Sequence, residues 1–275
     1  MPQVWLTGFA DEIDPEPQAQ ISCLQDNGVA HIELRGAGGK NVLDLDGTET
    51  DSLRAALHQA GIAVSSIGSP IGKVDIDSDL EAHFGRFRLA LERAAQFDAP
   101  FVRVFSFYHR GQEAAACRDR VLEQMRRMAE AAAVADRVLL HENEKGIYGE
   151  SPDRCADLIE SVGSPYLRAA FDPANFVQAG FDTRQAWERL ENHVVYFHVK
   201  DAVADSGRVV PAGVGDGHWP WLIERALEAG FEGFCSLEPH LKADDPEYGG
   251  DGATRFGHAV AALRRLLTEC GAETG

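Results

Sequence analysis

Eight short β-rich runs alternate with eight helical patterns along this chain, and that alternation limits the fold more than any other feature. The runs are VWLTGF (4–9), HIELRG (31–36), AVSSIGS (63–69), FVRVFSF (101–107), RVLLHEN (137–143), LRAAFDP (167–173), VVYFHVK (194–200) and GFCSLEP (233–239). Helical periodicity fills 17–28, 49–61, 80–98, 113–135, 151–163, 182–192, 219–230 and 253–271. A helix between successive strands is a crossover connection, which makes the strands parallel. Eight such units in 275 residues have the size and count of a single (β/α)8 TIM barrel spanning 1–275. The rival, a doubly wound open sheet, usually carries a glycine fingerprint after its first strand. GFADE stands there instead, and neither GxGxxG nor GxxxxGK[ST] occurs. No linker or low-complexity segment divides the chain, and roughly the last five to ten residues are expected to fray.

Charge and cysteine usage exclude several classes. Twenty-six basic and 44 acidic residues give a formal net charge of -18. Such a surface repels phosphate backbones and anionic membranes, so neither nucleic acid nor a membrane is expected as a partner. The five cysteines (23, 117, 155, 235 and 270) are odd in number and have no CxxC spacing. They form neither a disulfide framework nor a thiolate zinc site and suit a reducing cytosol. MPQVWLTGFADE lacks the basic and apolar regions of a secretory leader. No apolar run approaches the ~20 residues that span a bilayer. The expected location is the cytoplasm.

In a barrel, functional side chains gather at the C-terminal ends of the strands. Strand five ends in Glu142, strand six in Asp172, strand seven in His198 then Lys200, and strand eight in Glu238 then His240. Each has a plain explanation alone. Asp172 before Pro173 could cap a turn, and His198 could be a satisfied core histidine. Four consecutive tips are harder to explain that way. Neighbouring strands ~4.8 Å apart bring the tips around one small volume, where three carboxylates need a cation or must take up protons. One imidazole with three carboxylates suits Mn2+, Mg2+, Co2+ or Zn2+, and the excess of carboxylate favours the harder ions.

Other residues carry weaker signals. Glu33 and Arg35 share one face of HIELRG, where they either meet a ligand at the barrel mouth or pair with each other. Lys73 reads as a solvated lysine and Arg103, in mid-strand, as a core ion-pair partner. Phe107 and Tyr108 could form an apolar wall for a ligand. The GVGDG turn (213–217) either offers N–H groups to an oxyanion or simply precedes a helix that Trp219 and Trp221 dock.

Taken together, the motifs give a resemblance. HEN (141–143), FDPANF (171–176), HVKD (198–201), GVGDGHWPW (213–221) and LEPH (237–240), in this order, resemble the xylose isomerase-like TIM barrels. That group includes sugar isomerases, sugar 3-epimerases and inosose dehydratases. The resemblance implies one divalent metal, Mn2+ foremost, held by Glu142, Asp172, His198 and Glu238. It also implies Glu142 and Glu238 as an acid–base pair on opposite faces of a keto-sugar or sugar derivative. Glu33, Arg35, Asn175, Lys200 and His240 are the expected substrate contacts. A metal chelated by a carbonyl and a neighbouring hydroxyl stabilises an enediolate, and a glutamate in reach moves the proton. Proton return gives epimerisation or isomerisation, the leading reading. Loss of a β-hydroxyl gives dehydration of a keto-sugar or keto-cyclitol, the second. The chain departs from the epimerases in carrying Asn175 where they have a histidine, Tyr148 where they have a glutamate, and Lys200 as the nearest cation where they have an arginine. The HVKD form is nearer the inosose dehydratases. Similar proteins are commonly homodimers or homotetramers. Endonuclease IV-type repair enzymes share the barrel but need more histidines and a basic DNA-facing surface, which this chain lacks.

Overall fold

The β-rich runs become eight parallel strands in a computed structural model that describes residues 3–274. They are β1 (Gln3–Gly8), β2 (His31–Leu34), β3 (Ala63–Ile67), β4 (Phe101–Val104), β5 (Val138–Glu142), β6 (Leu167–Phe171), β7 (Val194–Val199) and β8 (Gly233–Leu237). Their hydrogen-bonded order is β1-β8-β7-β6-β5-β4-β3-β2. Only β1 and β2 share no ladder, so the barrel is nearly closed. Most ladders stop a few residues before the expected ends, because the chain turns into its loop there. Asp172, Lys200 and Glu238 therefore stand just past the last paired residue of their strands.

The helices are α1 (Pro17–Asp26), α2 (Gly47–Ala60), α3 (Leu80–Gln96), α4 (Ala114–Val134), α5 (Pro152–Val162), α6 (Pro173–Gln178), α7 (Thr183–Leu190), α8 (Trp219–Glu228) and α9 (Gly252–Glu269). Local chemistry explains several ends. Asp46 and Glu49 form a reciprocal capping box at the start of α2. Ser151 caps α5 ahead of Pro152, and α5 ends at Gly163 in the left-handed conformation (φ 64°). The short α6 corrects the expected count of eight. Its start was written in the sequence: Asp172 accepts a hydrogen bond from the Asn175 N–H, and Pro173 opens the first turn. Near the C-terminal end, Glu273–Thr274 form a short parallel rung on Gln3–Val4.

Alternation on β7 sorts the barrel. Phe197 and Val199 face outward, where Phe197 stacks on Trp187 (5.8 Å, 14°) and meets Trp219, Phe231 and Phe171. Trp219 is buried and docks α8 as expected. Tyr196, His198 and Lys200 face inward. The base of the barrel is aromatic: Tyr196, Phe101 and Phe234 pack together, with His31 and Trp5 against Phe234. Above them Thr7 Oγ1 meets Ser65 Oγ at 2.7 Å, and Ser65 Oγ lies 3.0 Å from the Tyr196 hydroxyl. Ser65 also bonds the Ile32 carbonyl at 3.1 Å. These hydroxyls tie β1, through β3, to β2 where the ladder is missing. Among the described residues, no helix is long and apolar enough to cross a membrane.

A side-chain staple joins α4 to α5. Asp157 accepts hydrogen bonds from Arg118 (2.6 and 2.9 Å), the Tyr148 hydroxyl (2.6 Å) and Ser161 (3.0 Å). Arg118 foremost, then Tyr148 and Ser161, outweigh the effect of burial and hold the Asp157 carboxyl down at about 2. A depressed carboxyl stabilises the fold above its unfolded value, and this stability is lost as pH falls through the folded value. Asp157→Asn should therefore cost on the order of 1 kcal/mol near neutrality, a modest figure because the pair is partly exposed. The difference from wild type should shrink between about pH 4 and about pH 2. Urea midpoints of both proteins across that range check it; a gap independent of pH would assign the staple's contribution to packing.

Candidate functional site

Four strand tips converge at the barrel mouth. Glu142 ends β5, Asp172 follows β6, His198 lies near the end of β7 and Glu238 follows β8; all four are buried. One donor atom from each lies within 4.8 Å of the others. The alternation read from HVK and LEPH thus places these groups together.

Cations fill the gaps between the acids. Arg103 donates to Glu142 Oε2 at 3.1 Å and also bonds the carbonyls of Gly68 and Ser69. Its guanidinium lies 3.9 Å from Glu238. Lys200 Nζ lies 2.6 Å from Glu238 Oε2 and 2.9 Å from Asp172 Oδ2. Arg35 forks among Asp11 (2.8 Å), Glu12 (3.1 Å) and Glu238 (3.2 Å). Arg35 and Arg103 both lie over the Phe9 ring, and Lys73 and Arg103 over Phe105.

His198 sits between two carboxylates: Nδ1 is 3.2 Å from Glu142 Oε2 and Nε2 is 3.2 Å from Glu33 Oε2. Burial alone would lower its pKa, but Glu142 and Glu33 raise it to about 10. The Glu142 carboxyl is raised by burial, yet His198 and Arg103 prevail and bring it to about 2. Asp172 goes the other way. Burial lifts it to about 6, with Lys200 lowering it and Glu142 and Glu238 adding repulsion. The residues fit a divalent cation by donor type and by closeness. Asp172 Oδ2 and both His198 ring nitrogens are buried without an aligned hydrogen bond, despite their short ion-pair distances. A metal held there would need the His198 imidazole in its neutral form.

Amide groups hold these side chains in place. Asn143 and Asp172 exchange hydrogen bonds: the Asn143 amide donates to the Asp172 carbonyl (2.9 Å) and accepts from its N–H (3.0 Å). Asn175 donates to Glu142 Oε1 (3.2 Å) and the Asn143 carbonyl (2.9 Å). Asp172 therefore caps α6 through Oδ1 and leaves Oδ2 for the site.

A cavity of about 270 Å³ opens above this floor, with Glu142, Glu238, Lys200 and Arg103 among its lining residues. Arg35, Asn41, His240 and the Lys73–Glu144 pair also line it. A larger cleft of about 440 Å³ between α1 and α2 is lined mostly by apolar atoms and lacks converging catalytic groups. Of the expected substrate contacts, Arg35, Lys200 and His240 reach the mouth. Asn175 is turned onto Glu142. Glu33 lies fully buried beneath, against His198, and is not paired with Arg35. Phe107 is buried against His83, away from the cavity; the rings beneath the mouth cations are Phe9 and Phe105, both fully buried. Asp11, Glu12 and Asn143 were not singled out in the sequence. The DE pair of GFADE at the first strand tip was the available signal for the first two.

The GVGDG loop has an internal purpose. Asp201, buried, accepts N–H bonds from Gly213, Gly215 and Gly217 at 3.0, 2.9 and 2.8 Å, and from Ala202 at 2.8 Å. A Cβ on Gly215 or Gly217 would come within 2.6 Å of the same carboxylate. The anion received by this turn is thus the chain's own. Trp219 Nε1 bonds the Lys200 carbonyl at 3.0 Å, so loop and helix together fix the backbone on which Lys200 stands.

A profile of the family described as Xylose isomerase-like TIM barrel matches residues 22–266. A search of curated proteins finds no match. Among solved structures, D-psicose 3-epimerase in the presence of D-fructose is similar at 17% identity (TM-score 0.76), covering 99% of this chain and 100% of that one. The probable 3-DHS dehydratase AsbF from Bacillus anthracis is similar at 17% identity (TM-score 0.75; 96% and 99% covered). A xylose isomerase-like TIM barrel protein from Mycobacterium smegmatis in complex with magnesium is 18% identical (TM-score 0.69; 97% of each chain). At these identities the likeness is one of fold.

Asp201→Ala leaves the three glycine N–H groups without their acceptor and should cost about 3 kcal/mol, the scale of hydrogen bonds to a buried charge. Denaturant unfolding reads the loss. Hydrogen exchange should show faster exchange at Gly213, Gly215 and Gly217; unchanged protection there would mean that the loop is held otherwise.

Proposed function

The chain belongs to the xylose isomerase-like TIM barrel family, and we propose that it is a divalent-metal-dependent isomerase or epimerase of a small keto-sugar or sugar derivative. The observation that carries this reading is the convergence of Glu142, Asp172, His198 and Glu238 under one cavity. These four would hold the ion, with Mn2+ or Mg2+ favoured by the three carboxylates. When bound, such an ion polarises a ligand carbonyl as a Lewis acid.

The chain's own groups supply the rest. Glu142 and Glu238 line the cavity from β5 and β8. A ligand between them has a carboxylate on each side, one to remove a proton next to the carbonyl and one to return it. Arg103, 3.1 Å from Glu142 and 3.9 Å from Glu238, favours the ionised form of whichever removes the proton, while the other must enter the step protonated in order to return one. Glu33 fixes the His198 ring and leaves Nδ1 directed at the site, a partner arrangement common for metal-binding histidines. The cavity is small beside ordinary ligand pockets of roughly 300–1,000 Å³, which suits one monosaccharide-sized ligand. A second reading, dehydration of a keto-sugar or keto-cyclitol, is favoured by Lys200. Its ammonium beside Glu238 is a proton donor at hand for a departing hydroxyl.

Elemental mass spectrometry of the purified protein should find about one divalent metal per chain, reduced in Glu238→Gln. Glu142→Gln and Glu238→Gln should each lower kcat on an active keto-sugar by ~10²–10⁴-fold, the usual weight of an acid–base group. Product mass separates the two readings, since dehydration loses water. No metal even after incubation with Mn2+ would remove the basis of the proposal. Glu33→Gln should weaken metal binding by roughly 10–100-fold, read by competition with a chelator.

A further inference from the structure

Lys200 stands where a metal-site lysine is least expected. Its Nζ touches Glu238 Oε2 at 2.6 Å and Asp172 Oδ2 at 2.9 Å, and its side chain is 5% exposed. Those two carboxylates are half of the four-donor group. The other cations at the mouth have partners outside that group: Arg35 has Asp11 and Glu12, Arg103 the carbonyls of Gly68 and Ser69, Lys73 Glu144. Among the described residues, Lys200 has no charged partner beyond the site itself.

Resting on the metal reading above, we infer that Lys200 is a built-in competitor for the metal. In the metal-free protein its ammonium serves as counter-ion to Asp172 and Glu238, and a divalent ion must displace it. Two consequences follow from the physics of buried charge. Without Lys200, Asp172 of the metal-free protein loses its ion-pair partner and Glu238 its closest one, so repulsion between these two carboxylates is less compensated. With it, every metal-binding event also breaks two short ion pairs, so the apparent metal affinity falls below what the four donors alone would give. Once displaced, the ammonium has the cavity that it already lines to turn into, while Trp219 on the Lys200 carbonyl and the clamp on Asp201 hold the backbone beneath it. Metal loading therefore delivers a hydrogen-bond donor to the ligand's side of the site. Lys200 acts in this step as a positioning and affinity-setting residue.

The test is Mn2+ affinity, by calorimetry or chelator competition, of wild type, Lys200→Met and Lys200→Gln, with Tm measured for each protein with and without Mn2+. The neutral variants should bind Mn2+ at least about tenfold tighter, a 1.4 kcal/mol change. Metal-free, they should melt lower than wild type, so that Mn2+ raises their Tm by more. If Lys200→Met does not fold, Lys200→Gln carries the comparison. Wild type alone gives a second measurement: brief amine acylation followed by peptide mapping. Lys200 should label faster with Mn2+ than without, while Lys40, Lys145 and Lys242 label equally in both. Folded variants that bind Mn2+ with wild-type or weaker affinity would overturn this inference and leave the metal reading standing. Failure of wild type and variants alike to bind any Mn2+ would overturn both.

Discussion

The mouth of this barrel is governed by repulsion between carboxylates that the fold forces together. Glu33, Glu142, Asp172 and Glu238 approach one another in a buried space, where like charges cannot be left to water. The surrounding chemistry answers that constraint. Arg103 crosses from β4, Arg35 reaches over from the end of β2, Lys200 rises from β7, and His198 takes a proton between two acids. In a chain with a net charge of -18, basic groups are gathered at this mouth to match its acids.

β7 shows how one strand serves two solvents. Its outward residues lock into the aromatic cluster of Trp187, Trp219 and Phe231, while its inward residues climb from the apolar base through the hydroxyl layer to the charged mouth. The outer cluster supplies the packing that keeps the strand in register. The inner face can therefore carry Tyr196, His198 and Lys200, which by themselves would weaken a core strand. Asn143, Asn175 and Asp201 extend the same rigidity past the strand ends, where ladder hydrogen bonds no longer act.

The barrel and its four tips were legible in the sequence because both are periodic. Eight strand–helix units repeat, and alternation fixes which strand residues share a face. What was not legible depends on depth and on loops. Glu33 and Arg35 share a face as expected, but one lies under His198 and the other at the rim, and spacing alone does not report height along a barrel axis. Arg103 was read as a core ion-pair partner, and it is one, yet its partner is Glu142 rather than a bystander. Phe107 and Tyr108 are expected at the cavity wall if strand four runs to 107; the strand ends at Val104, and Phe107 is buried in the core. Asp11 and Glu12 lie in a short turn with no periodicity to mark them.

The seam between β1 and β2 has a mechanical meaning. A ring joined all round by backbone ladders has a fixed circumference, whereas a ring slit once is compliant at the slit. Here the slit is bridged by side chains: Thr7 and Ser65 midway, and the Arg35 fork to Asp11 and Glu12 at the rim. Such links stretch or swap partners without unzipping a sheet. The wall that carries Arg35 is thus joined to β1 by side chains alone, while β5 to β8, which carry the four converging side chains, are joined to one another by backbone ladders.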